Sequence, residues 1–158
     1  MEILLFTKLV PSFILMTMIH DTNSLNILTG QIIGLAIKVH RLMGPGLLES
    51  VYLTCLCYEL KKAGLLVERE KMVPLVYEGV KLDQSYRLDL LVQGEIVIEI
   101  KSVEGISAVH RAQLLSYLKL TNSPIGLLIN FNVELLKDGV CRIVNNFSET
   151  SRLSTFFT

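Results

Sequence analysis

Two neighbouring apolar segments carry the residues best suited to chemistry. Asp89 sits in Arg87-Leu88-Asp89-Leu90-Leu91-Val92, and Glu99 and Lys101 sit in Glu95-Ile96-Val97-Ile98-Glu99-Ile100-Lys101. Both segments read as β-strands separated by a turn at Gln93-Gly94. In the second, Ile96, Ile98 and Ile100 alternate with Val97, Glu99 and Lys101, so a period of two puts the isoleucines on a buried face and Glu99 and Lys101 on the other. In the first, Leu88, Leu90 and Val92 are expected on one face, with Arg87, Asp89 and Leu91 on the other. Joining the apolar faces requires Leu90 opposite Ile98, which also places Asp89 opposite Glu99. It further demands an odd loop over 93–95, because a two-residue turn would set Leu90 against Val97 and mix the faces.

Two carboxylates facing each other with Cβ atoms ~5 Å apart repel unless a cation lies between them. Mg²⁺ or Mn²⁺, hard ions that prefer oxygen ligands, suit such a pair. Lys101 would then hold an ammonium beside the ion, placed to orient water or to steady charge on a phosphate. An Asp followed by Glu-x-Lys is thus the minimum set for metal-assisted phosphodiester hydrolysis. The same residues also fit an open sheet face whose charges pair with one another, and this short pattern alone does not separate the two readings.

The remaining elements must position these groups. Apolar residues from Leu25 to Val39 recur with a helical period and predict a first helix over 25–43. Gly44-Pro45-Gly46 ends it in a tight corner, and a second helix is expected over 48–63 with Gly64 as its cap. Strands are expected at 65–70, 73–77, 86–92 and 95–103, in antiparallel succession. A helix over 108–120 leads to an apolar strand at 125–131, a helical turn at 133–137 and a last strand at 139–144. This order predicts an α+β fold, a central mixed sheet flanked by helices. On the second helix Glu49 and Tyr52 are three apart and share a face, as do Gln113 and Tyr117, four apart, on the helix that follows Glu-x-Lys.

Joined in this order, these blocks resemble the GxxExxY proteins of the PD-(D/E)XK nuclease superfamily. The resemblance spans about residues 27–144. It runs through IIGLAIKVHRLMGPGLLESVY, YELKKAGL, VPLVYEGVKLDQSYRLDLLV, EIVIEIKSV, HRAQLLSYLKL, GLLINFNV and LKDGVCRIV. It implies an αβββαβ restriction-endonuclease-like core with Glu49, Asp89, Glu99 and Lys101 in the site. Gln113 and Tyr117 match the Q-x-x-x-Y helix of RecB-like nucleases, and every one of these positions is intact. The expected activity is Mg²⁺- or Mn²⁺-dependent phosphodiester hydrolysis in nucleic acid, with DNA as the expected substrate. Asp89, Glu99 and the Ile100 carbonyl would hold the metal, with Glu49 in an outer position or on a second ion. Tyr52, Arg87, Gln113 and Tyr117 would contact the substrate or brace the site. A noncatalytic module binding nucleic acid or protein on the same scaffold is the alternative.

Composition bounds these expectations. Apolar residues are 51% of 158 and charged residues 19%, which excludes a disordered chain. Fifteen basic residues balance fifteen acidic ones, so no global positive field draws in nucleic acid and recognition must be local. A mean hydropathy of +0.50 favours burial of some surface in a homodimer or against a protein partner. Three cysteines fit a reducing, cytoplasmic compartment; Cys55 and Cys57, two apart on a helix, point away from each other and are expected to fill core space. His40 and His110 are expected on a helix surface or in a cap. Lys8 and Pro11 interrupt the apolar stretch of residues 1–20, so neither a membrane span nor a signal peptide is expected. Residues 1–22 read as an apolar extension that need not be native, 23–146 as the domain and 147–158 as a tail.

Overall fold

A computed structural model describes residues 12–145. Residues 1–11 of the expected extension and the whole expected tail lie outside the described residues. The chain divides into two compact units, Met1–Gly34 and Leu35–Thr158. Helix α1 (Ser12–Met43) starts in the first unit and ends in the second. It begins well before the expected residue 25, since no proline or glycine stands between Pro11 and Gly30. Among the described residues no helix is long and apolar enough to cross a membrane.

In the second unit, α2 (Glu49–Lys62) is followed by β1 (Val67–Tyr77), β2 (Val80–Val92), β3 (Ile96–Lys101), α3 (Ala108–Thr121), β4 (Ile125–Asn130), a 3₁₀ turn at Leu136–Gly139 and β5 (Val140–Val144). The strands form one mixed sheet in the order β1-β2-β3-β4-β5. Among the described residues only the β3–β4 pair is parallel, because α3 carries the chain back across the sheet between them. β4, inside the sheet between β3 and β5, is buried along its whole length, as its apolar run requires.

The two strands expected at 65–70 and 73–77 are one. β1 runs through Lys71 and Met72 and pairs with β2 in a long hairpin. Glu78-Gly79, with φ of 50° and 77°, makes the tight turn that matches the twist of the two strands. The next turn is the odd loop that core patterning demands. Val92 pairs with Ile96, Leu90 with Ile98, and residues 93–95 are left over.

The β1–β2 register shifts between Pro74 and Val76, and alternation along β2 slips again beside Asp89. Tyr86 meets Tyr117 of α3 edge to face, so it points to the α3 side. Leu91 does too: its partner Val97 neighbours Gly126, where a Cβ would lie 2.8 Å from Leu114 Cγ of α3. Residues five apart on one strand cannot share a face under strict alternation. Leu88 accordingly joins Leu91 in the cluster under α3, against the expectation that it shares a face with Leu90 and Val92. The slip falls where Glu70, at φ 50°, stands across from Asp89 between the pairs Arg69–Leu90 and Lys71–Leu88. Such irregularities re-aim side chains, and this one lies beside the charged constellation.

α3 covers one face of the sheet through Leu114, Tyr117 and Leu118. Its N-terminus is closed by a reciprocal Ser107–His110 cap, the role expected for His110. α2 packs against β1, β2 and β3 and contributes nothing to the α3 cluster. Tyr52 of α2 is fully buried and stacks on Phe131 at 4.4 Å. Cys57 is buried, Cys55 is half-buried, and both are free thiols.

Candidate active site

The β2–β3 ladder ends at Leu90–Ile98, and Asp89 and Glu99 occupy the first rung beyond it. There a side chain replaces the ladder: Asp89 Oδ2 accepts the Ile100 N–H at 2.8 Å. The next residue of β3 after Ile100, Lys101, sets its Nζ 3.6 Å from Glu99 Oε2. The Glu99 side chain is only 5% exposed and that of Lys101 16%. An open, solvated sheet face is therefore the wrong description, because α3 roofs this side.

Burial without enough partners dominates the electrostatics. Glu99 Oε1 is buried and has no hydrogen-bond partner. Burial, reinforced by the Asp89 charge and only partly offset by Lys101, lifts the Glu99 carboxyl from 4.5 to about 7. Asp89 is also raised, chiefly by burial, with the Ile100 N–H and Lys101 opposing and Glu49 adding to the rise. The Tyr117 hydroxyl is pushed up by burial and then by Glu99, which places it in the same field.

Glu49 reaches the site from the first turn of α2. Its Oε1 accepts the Ser102 N–H at 3.1 Å, and the helix N-terminus favours its charge. Ser102 Oγ donates to the Leu47 carbonyl at 2.6 Å, which ties the end of β3 to the start of α2. Tyr52 holds the corner from inside. Its hydroxyl donates to the Gly44 carbonyl at 2.6 Å and accepts the Leu47 N–H at 3.0 Å. Gly44 and Gly46, at φ 71° and 90°, give the corner a conformation that other residues resist. The glycine, glutamate and tyrosine spaced three apart thus form one device: the turn, the acid it presents and the clamp beneath it.

A cleft of about 520 Å³ opens over these groups, lined by Leu47, Glu49, Glu70, Arg87, Asp89 and Ser102 among others. Glu99 and Lys101 are not on its wall. Arg87 pairs with Glu70 at 3.4 Å and remains largely exposed, so its guanidinium borders the cleft mouth. Gln113 Nε2 donates to the Tyr117 hydroxyl at 3.0 Å.

The structure thus gathers Glu49, Asp89, Glu99 and Lys101, with Arg87 and Tyr117 in their field. Tyr52 and Gln113 act on the corner and on Tyr117 instead. Ser102, Glu70 and Asn130 complete the surroundings and were not singled out in the sequence. Asn130, 2% exposed, accepts the Val103 N–H at 3.1 Å and donates to the Val103 carbonyl at 2.8 Å, fastening the segment after Lys101. A lone amide in the apolar run 125–131 was its signal. His40 departs from the helix-surface expectation. It is buried, and its Nε2 lies 2.8 Å from the Val133 carbonyl.

A family model described as the PD-(D/E)XK nuclease superfamily matches residues 26–143, through the whole of this constellation. The chain belongs to the PD-(D/E)XK nuclease superfamily. No curated protein matches it. Among solved structures it is similar to one titled "Crystal structure of SSO0001", with 25% identity and a TM-score of 0.45. That alignment covers 68% of this chain and 56% of the other, so this chain spans little more than half of that protein's length.

Membership in the PD-(D/E)XK superfamily implies nuclease-like function on nucleic acid, and these enzymes generally use divalent metal ions. The donor set fits such an ion. Two adjacent, partly desolvated carboxylates are both raised by burial, Glu99 further by the Asp89 charge, and one oxygen of Glu99 has no hydrogen-bond partner. Among the described residues no group of three or more His, Cys, Asp or Glu side chains could hold a metal ion.

Proposed function

We propose that this chain is a Mg²⁺- or Mn²⁺-dependent nuclease of GxxExxY type that hydrolyses phosphodiester bonds, with DNA as its first-choice substrate and 23–146 as the catalytic domain. The observation that carries the reading is the buried Glu99 carboxyl, one oxygen of which has no hydrogen-bond partner, in the field of the Asp89 charge. Asp89, Glu99 and the Ile100 carbonyl would hold the ion, and Glu49 would act from the outer shell. When bound, a divalent ion supplies Lewis acidity at the phosphate and lowers the pKa of water.

The protein's own groups do the positioning. Lys101, held by Glu99 and little exposed, keeps an ammonium where it can orient the attacking water and offset charge on the phosphate. The Asp89–Ile100 N–H bond fixes the carboxylate and aims the Ile100 peptide. Arg87, exposed at the cleft mouth, is placed to receive a backbone phosphate. Tyr117, steadied by Gln113, braces the Glu99 side of the site.

The test is cleavage of single-stranded, double-stranded and branched DNA and RNA with Mg²⁺ or Mn²⁺. Wild type is compared with Asp89→Ala and Lys101→Ala. Metal-dependent cutting that falls at least about a hundredfold in both variants supports the reading. The absence of cutting, together with absence of divalent-metal binding by calorimetry, overturns it and leaves a binding module on a nuclease scaffold.

A further inference from the structure

The wall of the cleft carries an acid that the proposed chemistry leaves unused. Among the described residues lining it, the acids are Glu49, Glu70 and Asp89 and the base is Arg87. Glu49 and Asp89 each accept a backbone N–H of β3 or of the residue after it. Glu70 instead divides its carboxylate between two arginines. Its Oε1 lies 3.4 Å from Arg87 Nη1, and its Oε2 lies 3.3 Å from Arg69 Nε.

The backbone at Glu70 is also out of the ordinary. Its φ of 50° falls in the left-handed region that side chains resist, although the residue lies inside β1 and not in a turn. The flanking pairs Arg69–Leu90 and Lys71–Leu88 keep one register, so the conformation is local. It sets an acid across from Asp89, an arrangement that like charges disfavour. Strain and repulsion accepted together at one position beside a site are signs of a role in it.

The openness of the Glu70–Arg87 pair decides what that role is. The two side chains are 42% and 66% exposed, and 3.4 Å is longer than a strong charge-assisted hydrogen bond. Such a pair is weak and exchangeable. A backbone phosphate entering the cleft offers its oxygens to the same guanidinium that Glu70 holds. Exchange does not strand the carboxylate, because Arg69 remains on its other oxygen.

We propose that Glu70 is a displaceable stand-in for a substrate phosphate, occupying Arg87 in the free protein and yielding it to the nucleic-acid backbone. This rests on the nuclease reading of the site. Because the pair is given up on binding, only part of the attraction between Arg87 and a phosphate appears as affinity. Glu70 thus acts through Arg87, as a positioning residue that loosens capture of the strand ahead of any chemistry.

Fluorescence anisotropy of labelled single-stranded and duplex DNA and RNA, with the full chain in Ca²⁺ and ligand integrity verified on gels, tests this. Melting temperature verifies that each variant folds. Glu70→Gln is expected to tighten binding about three- to fivefold at low salt, the range that an exposed ion pair supports. The gain is expected to vanish near about 0.5 M salt, where exposed charges are screened. Arg87→Ala is expected to weaken binding, and in that background Glu70→Gln is expected to change affinity by less than about 1.5-fold, since the group Glu70 holds is gone. Equal gains with and without Arg87 overturn the proposal, because Glu70 then merely repels the strand. Binding by wild type that Glu70→Gln leaves unchanged or weakens overturns it as well. Absence of binding to all of these ligands, in wild type and Glu70→Gln alike, overturns the nuclease reading and this inference with it.

Discussion

Replacing Glu99 by Gln should make the metal-free protein more stable at neutral and alkaline pH. The reason lies in the Glu99 carboxyl, lifted from 4.5 to about 7 by burial and by Asp89. Because the folded pKa is above the unfolded one, the native state holds this proton more tightly. Between about pH 4.5 and 7 it therefore binds more protons than the unfolded chain, and stability falls as pH rises through that window. Above it the loss is complete and constant. A shift of about 2.5 units at 1.36 kcal/mol each corresponds to about 3 kcal/mol. A glutamine keeps the shape and stays neutral, so with chelator present at pH 8 Glu99→Gln should melt about 5–10 °C above wild type. At pH 4.5 the two curves should converge. Added Mg²⁺ should reverse the order at pH 8, stabilising wild type by mass action while leaving the variant unmoved. Equal melting temperatures in chelator at pH 8, or a difference that persists undiminished at pH 4.5, would refute the account of a strained carboxylate awaiting a cation.

Tyr52→Phe removes the hydroxyl that bonds the Gly44 carbonyl and the Leu47 N–H, and should cost about 1–3 kcal/mol in chemical denaturation. Divalent-metal affinity by calorimetry should remain within a few-fold, because Tyr52 touches none of the carboxylates. Gly126→Ala drives a Cβ to 2.8 Å from Leu114 Cγ and should cost about 1–3 kcal/mol, read as a lower melting temperature, while the rest of α3 retains its circular dichroism. Asn130→Ala frees both backbone groups of Val103 and should speed amide exchange after Lys101 and lower cleavage, with less effect on exchange within β1.

Much of the site's logic is local and could be read from the chain. Period-two patterning in 95–101 and the need to join apolar faces led to the pairing of Leu90 with Ile98 and to the odd loop at 93–95, both present in the structure. The order of helices and strands led to the mixed, helix-flanked sheet, because each element declares its period within a few residues. Local signals failed where two distant segments must agree. Lys71 and Met72 look like a break between strands, yet ladder bonds to Leu88 and Arg87 carry β1 straight through them. The slip at Asp89 was invisible, because positive φ at Glu70 on the opposing strand is not encoded in β2 itself.

What the sequence by itself determined is the choice of chemistry. Acids and a lysine placed at alternate strand positions, a glutamate at a helix start and a glycine corner before it are short-range facts that follow from side-chain type and spacing. What only the tertiary structure decided is the state of those groups. Whether Glu99 lies on a wet sheet face or under α3, and whether its second oxygen finds a donor, depend on elements distant in the chain, and whether the Tyr52 hydroxyl faces substrate or backbone depends on how the corner at Gly44 to Leu47 folds over it. The physical reason is that charge becomes costly only where water is excluded. Exclusion of water belongs to the packed assembly rather than to any segment of the chain.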